Sequence, residues 1–375
     1  MSKQGNTFDV DAFSAEEDGE IKDYVEETER EVLSLIRERF GEVACAEAKL
    51  ALRNPLRELC RSAGDLVCTK DGIQCFQAAI LRRGYIRESP FLGVCGGLLV
   101  AKNDASPVLL AMLIQKAITP RAGSELFFGN TAIPVSVKLN RMMGVRGKGI
   151  PSCEFIRCAV FRWGGFANFA LHGRIPLIVV RIVDFVGRFL SIFNLRHVRS
   201  DTVCIRLDSF ETLPFNNFWD RYLEGNDGVV LSRTAQELEW VFGDGLRSGR
   251  NILLARKRQD GLLAGYIVLR TASDDGLRWM VADWIALEDD RDVLSDLMND
   301  AVRELRRMRS PVFLECIGFR MDVQDIIGRH LPFKRKAKNN SMAFKAFSSR
   351  LTDALKDGAT KGWFFGPYDG DRCMS

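Results

Sequence analysis

Between residues 251 and 319 the hydrophobic and polar positions follow the period that antiparallel strands require. Asn251–Arg258 and Leu262–Thr271 are dense in Ile, Leu, Val and Ala and are split by Asp260-Gly261; Arg278–Leu287 follows a second turn, Asp274-Asp275-Gly276. Asp-Gly between such runs predicts tight turns, because glycine accepts the positive φ they need. The period then changes. Leu294, Leu297, Met298, Ala301, Val302, Leu305 and Met308 recur every three or four positions and predict one amphipathic helix. Asp289 or Asp290 can cap its start, Arg306, Arg307 and Arg309 suit its last turn, and Pro311 ends it. Val312–Ile317 is an apolar run suited to a buried strand. Three strands, a helix and a further strand predict a compact α/β core.

The same order occurs earlier in the chain. Asp65–Cys68, Ile73–Leu81 and Phe91–Val100 read as strands, Ala105–Ile118 as a helix with Pro107 in its first turn, Leu126–Phe128 as a strand, and Val135–Met143 as a helix closed by Gly144. The repeat predicts a duplicated fold, although no sequence identity between the halves is evident. Residues 1–20 are a polar, acidic tail. Ile21–Phe40 and Glu42–Cys60 read as helices, the second interrupted near Asn54-Pro55. Pro176–Leu195 is strongly apolar and predicts a helix on which Arg181, Asp184 and Arg188 share a face. Such a helix is expected between domains, between subunits of a homo-oligomer, or in peripheral contact with a membrane through residues 176–195, where Arg174, Arg196 and Arg199 would meet anionic lipid. Lys334, Arg335, Lys336 and Lys338 read as a solvated turn before a last strand, Met342–Phe347. The chain thus divides into a tail and helix (1–40), a first domain (41–160), an apolar helical connector (161–205), a second domain (206–347) and a docking tail (348–375).

Composition narrows the function classes. A chain of 375 residues with 46% hydrophobic and 27% charged residues is an ordinary globular protein with length for two cores. A net charge of +4 gives no dense basic face, so nucleic acid is not an expected partner. Phe91–Ala101, the longest uncharged apolar run, is too short to span a bilayer, and no secretory core follows the N-terminus. Ten cysteines lie singly without a Cys-x-x-Cys pair, and there are three histidines. No metal site and a reducing, cytoplasmic location are therefore expected.

The strand and helix order, with several local stretches, resembles the GNAT acyltransferase superfamily. Ser232-Arg233, Leu238-Glu239-Trp240 and Ala264–Val268, with Trp363 and Tyr368-Asp369-Gly370-Asp371 near the end, are similar to tandem-GNAT proteins associated with bacterial polysaccharide biosynthesis. The likeness covers most of residues 65–371. It implies two GNAT-like α/β (α+β) domains, each a mixed, mostly antiparallel sheet flanked by helices. It also implies transfer of an acyl group from acetyl-CoA or another acyl-CoA to an amine or hydroxyl of a sugar or cell-envelope precursor. Phe128-Gly129-Asn130-Thr131 resembles the family's later motif, which places Asn130 near the pantetheine and the acceptor; a turn or helix-cap role is the plainer reading of Asn130.

In that superfamily the CoA pyrophosphate lies on backbone amides at the start of the helix after the fourth strand, as anions do at any helix N-terminus. In the first half this loop is Ala101–Pro107, with Lys102, Asn103, Ala105 and Ser106 as cofactor-binding candidates, although it lacks the family's glycines. In the second half the loop is Glu288–Asp292, with four carboxylates and no glycine, which would repel a pyrophosphate. Arg146-Gly147-Lys148-Gly149 spells a GNAT-like phosphate motif, so Arg146 is a further candidate, although the predicted context is a loop after a helix. Asp283, an acid within the apolar third strand, is the candidate general base, or bonds a backbone group. The alternative to an enzyme is a catalytically degenerate GNAT-fold protein that binds a ligand or scaffold partner.

Overall fold

The computed structural model describes residues 19–56, 59, 62–121, 123–129, 146–148, 155–171, 173–194, 204–273, 275–287, 290–308, 310–317, 323–336, 342–356 and 367–369. The predicted helix Val135–Met143, the acidic tail 1–18 and Asn130 lie outside them.

The first half runs β1 (Glu20–Asp23), α1 (Glu29–Leu52), β2 (Gly64–Thr69), β3 (Gly72–Ile86), β4 (Ser89–Ala101), α2 (Pro107–Ala117), β5 (Ser124–Gly129), β6 (Arg146–Lys148) and β7 (Phe155–Val160). Two helices follow, α3 (Trp163–Ala170) and α4 (Leu177–Asn194). The second half runs β8 (Ile205–Leu207), α5 (Thr212–Gly225), β9 (Val229–Leu231), α6 (Ala235–Arg247), β10 (Asn251–Lys257), β11 (Leu263–Thr271), β12 (Arg278–Ala286), α7 (Arg291–Arg307), β13 (Phe313–Ile317), α8 (Gln324–His330), β14 (Phe333–Lys336), β15 (Met342–Ala346) and α9 (Ser349–Lys356).

Two mixed sheets result. The first is ordered β1-β2-β3-β4-β5-β15-β6, with β9 also on β3; the second is ordered β14-β7-β13-β12-β11-β10-β8. Each contains one parallel pair, β4 with β5 and β12 with β13, joined through α2 and α7, because a parallel connection needs a crossover that returns the chain to the same end. The halves exchange strands. β7, from the first half, sits between β13 and β14, and β15, from the second, sits between β5 and β6. The main hydrophobic core runs through both halves, from Phe76 and Leu126 to Trp284 and Leu305, with smaller clusters beside it such as Leu81, Val94 and Phe127.

The elements from 251 to 317 fall within a residue or two of their predicted bounds. Gly261 and Gly276 carry the positive φ, 83° and 66°, that their turns need. On α7 Leu294, Leu297, Met298, Ala301, Val302 and Leu305 of the predicted stripe are buried, each large side chain contributing roughly 1.5–3 kcal/mol, whereas Met308, just past the helix end, is exposed. The helix comes this close because Gly265 of β11 lies under it, where a methyl would meet Val293, Leu297 and the Ile285 carbonyl.

Elsewhere the structure corrects the pattern. Ile21 belongs to a strand, not a helix: residues 20–23 pair with 65–68 and Tyr24 N donates to the Gly64 carbonyl. The first predicted helix begins only at Glu29, but its junction with the second is where the sequence places it: Gly41, at φ 88° and ψ −178°, leaves the helical conformation and kinks α1 there before it runs on to Leu52. β3 extends beyond Leu81 through Arg82, Arg83 and Gly84, because Gly84–Ile86 pairs with β9 on one side and β4 on the other. The basic segment at 333–336 is a strand on β7, not a turn; Arg335 donates to the buried Glu315 at 2.8 Å and the Lys334 ammonium lies 3.6 Å from the Phe155 ring centre.

Candidate active site

The parallel strands of the first sheet part. β4 pairs with β5 only from Leu92 to Cys95, against Ser124 to Phe128, and then runs on through Gly96 to Ala101. At the parting there is a bulge: Gln77 alone opposes Leu98 and Leu99, and Leu98 takes φ 49°, a conformation costly for a side chain with a Cβ. A bulge turns backbone N–H groups out of the ladder beside an opening between strands. Gly96, where the strands part, is closely packed: a Cβ there would meet the Phe127 ring and Gln77 Nε2. Gln77 is buried, and its Oε1 has no hydrogen-bond partner among the described residues.

β4 leads directly into the N-terminus of α2. Ser106 is the N-cap, its hydroxyl oxygen accepting from Val108 N at 3.1 Å, and Pro107 occupies the first turn. The cap itself is neutral, with no carboxylate bonded to the first amides of the helix; the loop's one acid, Asp104, is exposed two residues earlier. Lys102 and Ala105 close the loop through backbone bonds to Gln74 and Lys102, and Lys102 Nζ donates to the Asp71 carbonyl at 3.2 Å; Asn103 is exposed. Lys102, Asn103, Ala105 and Ser106 therefore share one loop at the end of the opened strand.

The second half repeats the geometry with different chemistry. β12 pairs with β13 from Arg278 to Val281, bulges at Ala282 against Val268–Leu269, and continues to Ala286. Here the cap of α7 is Asp290, whose carboxylate accepts from the backbone N–H of Asp292 (2.9 Å) and Val293 (3.1 Å). The amides that would hold an anion already hold one.

Asp283, next after that bulge, is the centre of a buried cluster. Arg233 Nε donates to both its oxygens at 3.1 Å, and the Tyr266 hydroxyl donates to Oδ2 at 2.6 Å. Arg233 Nη2 reaches both oxygens of Asp369 at 3.0 Å, and Nη1 the Leu231 carbonyl at 2.7 Å. The Tyr368 hydroxyl donates to the Ser232 carbonyl at 2.7 Å, and its ring is covered by the guanidiniums of Arg233 (4.6 Å) and Arg82 (4.2 Å). Thus a C-terminal stretch, Pro367–Asp369, lies against β12 and links the second sheet to Arg82 of the first. Burial raises the Asp283 carboxyl to about 6 despite the Arg233 charge, and the nearby negative charge of Asp369 adds to the rise. Burial opposes the charge on Arg233, but Asp283 and Asp369 outweigh it.

The sequence-chosen residues therefore lie apart. The 102–106 loop belongs to the first opening. Asp283 sits at the equivalent place in the second, 2% exposed and with both oxygens engaged. Arg146 is in β6, backbone-paired with Phe344 on a strand rather than in a loop. Leu98, Gly96, Gln77 and Arg82 were absent from the sequence expectations; two glycines ahead of Leu98-Leu99 in an apolar strand were the available signal for a bulge.

No known family's sequence profile matches the chain, and no curated protein sequence does. Solved structures do. A protein of unknown function from Enterococcus faecalis V583, described as a probable N-acyltransferase, is 12% identical, with a TM-score of 0.55 over 88% of this chain and 72% of that one. Saccharomyces cerevisiae N-myristoyltransferase with bound myristoyl-CoA is 12% identical, with a TM-score of 0.54 over 89% and 85%. A GCN5-related N-acetyltransferase from Kribbella flavida is 13% identical, with a TM-score of 0.53 over 88% and 72%. At such identities the likeness defines the fold: this is a GNAT-like α/β protein with two mixed sheets flanked by helices.

Proposed function

We propose that the chain is an acyl-CoA-dependent acyltransferase whose donor site is the β4–β5 opening of the first half. The observation that carries this is the asymmetry between equivalent positions: a neutral serine caps α2 beside an open bulge, whereas a carboxylate caps α7 and the C-terminal stretch covers β12. The backbone amides at the start of α2, with Lys102, Asn103, Ala105 and Ser106 around them, suit a pyrophosphate. Gln77, beside the bulge, offers a buried amide with a free acceptor.

When bound, an acyl-CoA supplies the thioester carbon that the acceptor attacks. The chain's part is to bind and orient it and to direct bulge N–H groups at the carbonyl oxygen as charge develops there. The acceptor nitrogen or oxygen would form the new bond to the carbonyl carbon, the C–S bond would break, and the acceptor's proton would pass to the departing CoA thiolate, releasing free CoA thiol. Asn130, next in sequence after β5, and Arg146 on β6, beyond β15 in the same sheet, enter this reading as acceptor-side and phosphate-side groups. Asp283 enters as the proton-holding member of the central cluster. The sequence resemblance supports a sugar or cell-envelope precursor as acceptor, in polysaccharide biosynthesis. A second reading, a GNAT-fold binding protein without turnover, is favoured by the missing glycines in the 102–106 loop.

Thermal unfolding with acetyl-CoA, myristoyl-CoA and free CoA tests the proposal. A ligand at 100 times its Kd adds about 2.7 kcal/mol to the state that binds it. A concentration-dependent rise with an acyl-CoA is expected, and release of CoA thiol with an amino-sugar acceptor separates the enzyme from the binding protein. No rise with any of the three at millimolar concentration overturns the donor site.

A further inference from the structure

We propose that the α3–α4 hairpin is a docking surface for an anionic lipid bilayer. It stands on the second sheet through α3, where Phe166 and Phe169 pack on Phe313, Trp163 on Phe333 and Gly165 on Val312. α4 then packs on α3 at close range, because two glycines meet the facing helix. A methyl on Gly164 would collide with the Val180 carbonyl, and one on Gly187 with the Trp163 ring. With its small-residue side turned to α3, α4 presents its large apolar residues outward. Leu177, Ile178, Ile182 and Phe185 are 66, 69, 57 and 72% exposed, with Val179 and Val186 beside them and Leu171 and Phe169 at the edge. A continuous face of this size on a water-soluble surface marks a contact with something apolar.

Charge selects the partner. Between residues 174 and 200 the sequence carries five arginines, Arg174, Arg181, Arg188, Arg196 and Arg199, against a single acid, Asp184. That acid is turned inward: its Oδ1 accepts from Gly164 N at 2.6 Å, and Oδ2 lies 3.7 Å from Arg162. Arg174 and Arg181 are exposed beside the apolar face. Among the described residues, an apolar face with exposed arginines beside it and its acid turned inward is complementary to a surface that combines acyl chains with negative headgroups. It is not complementary to a second copy of itself, which would bring arginine against arginine about a two-fold axis. Among the described residues no helix is long and apolar enough to cross a membrane, so the hairpin lies on the bilayer rather than through it.

The test is flotation of the full chain with vesicles of phosphatidylcholine alone and of phosphatidylcholine containing phosphatidylglycerol. The protein is expected to float with the anionic vesicles and to be released by high salt. Phe185→Ser, and separately Ile182→Glu, should lower partitioning at least about ten-fold. Each of Arg174→Ala and Arg181→Ala should lower it about five-fold, the equivalent of about 1 kcal/mol per arginine near such a surface. Circular dichroism should be unchanged, since all four side chains are exposed. Absence of flotation, or equal binding to neutral vesicles, overturns the proposal. So does a dimer in sedimentation that Phe185→Ser dissociates, which would assign the face to a second copy.

Discussion

Arg233 is the most demanding test of the structural reasoning, because one fully buried guanidinium makes five hydrogen bonds that join both halves and the C-terminal stretch. Replacing it by Met keeps much of the volume and removes the charge. Asp283, 2% exposed, and Asp369, 0% exposed, are then left as buried carboxylates without their cation. Breaking a buried pair from one side costs about 3–5 kcal/mol, so Arg233→Met should lower the urea midpoint at pH 7.5 by about 1 M or more. The loss should depend on pH. Asp283 already titrates at about 6 with Arg233 present, and higher without it, so acidification to pH 5 neutralises one stranded carboxylate. The unmodified protein gains from the same protonation, so the deficit shrinks by up to about 1.4 kcal/mol for each unit that the loss of Arg233 raises the Asp283 pKa, and it should be smaller at pH 5 than at pH 7.5. Arg233→Met/Asp283→Asn should recover part of the loss at pH 7.5. A deficit under 1 kcal/mol, or one that does not change with pH, would refute the reasoning.

Two further expectations follow from the same geometry. In the unmodified protein Asp283 has a folded-state pKa raised above its unfolded value, so its ionisation lowers stability as pH rises from about 4 to about 6; Asp283→Asn should remove that fall, read from urea midpoints across the range. Because β7 and β15 are exchanged, residues 19–150 and 206–356 expressed separately should not fold, since neither contains the strand that completes its sheet; a well-dispersed amide spectrum from either fragment alone would contradict this.

The second half was the more legible from sequence because its signals are local. Asp260-Gly261, Gly276 and the stripe on α7 each act within a few residues, so pattern and structure agree. What escaped the pattern depends on distant partners. Ile21 is a strand residue because Val67 pairs with it, and β3 runs through Arg82-Arg83 because β9 arrives from more than a hundred residues away to pair beyond them. The strand exchange is of the same kind, since no property of residues 155–160 names the sheet they join. At the site, the 102–106 loop was legible from its place after a strand and before a capped helix. The bulge at Leu98 was not, because an apolar side chain gives no sign of a positive φ. Asp283 stood out as an acid in an apolar strand, but its partners Arg233, Tyr266 and Asp369 are brought to it only by the fold.

The central claim, a donor site in the first half alone, is tested most directly by titration calorimetry of one acyl-CoA against two single substitutions. Ser106→Asp retains a good N-cap but sets a carboxylate where a pyrophosphate would lie, making α2 resemble α7. Two like charges about 5 Å apart at an effective ε of about 20 repel by roughly 3 kcal/mol, so affinity should fall about a hundred-fold or more, at about unchanged stability. Asp290→Asn, the reverse change in the second half, should leave affinity unaltered. Binding that survives Ser106→Asp, or that strengthens with Asp290→Asn, would contradict the account.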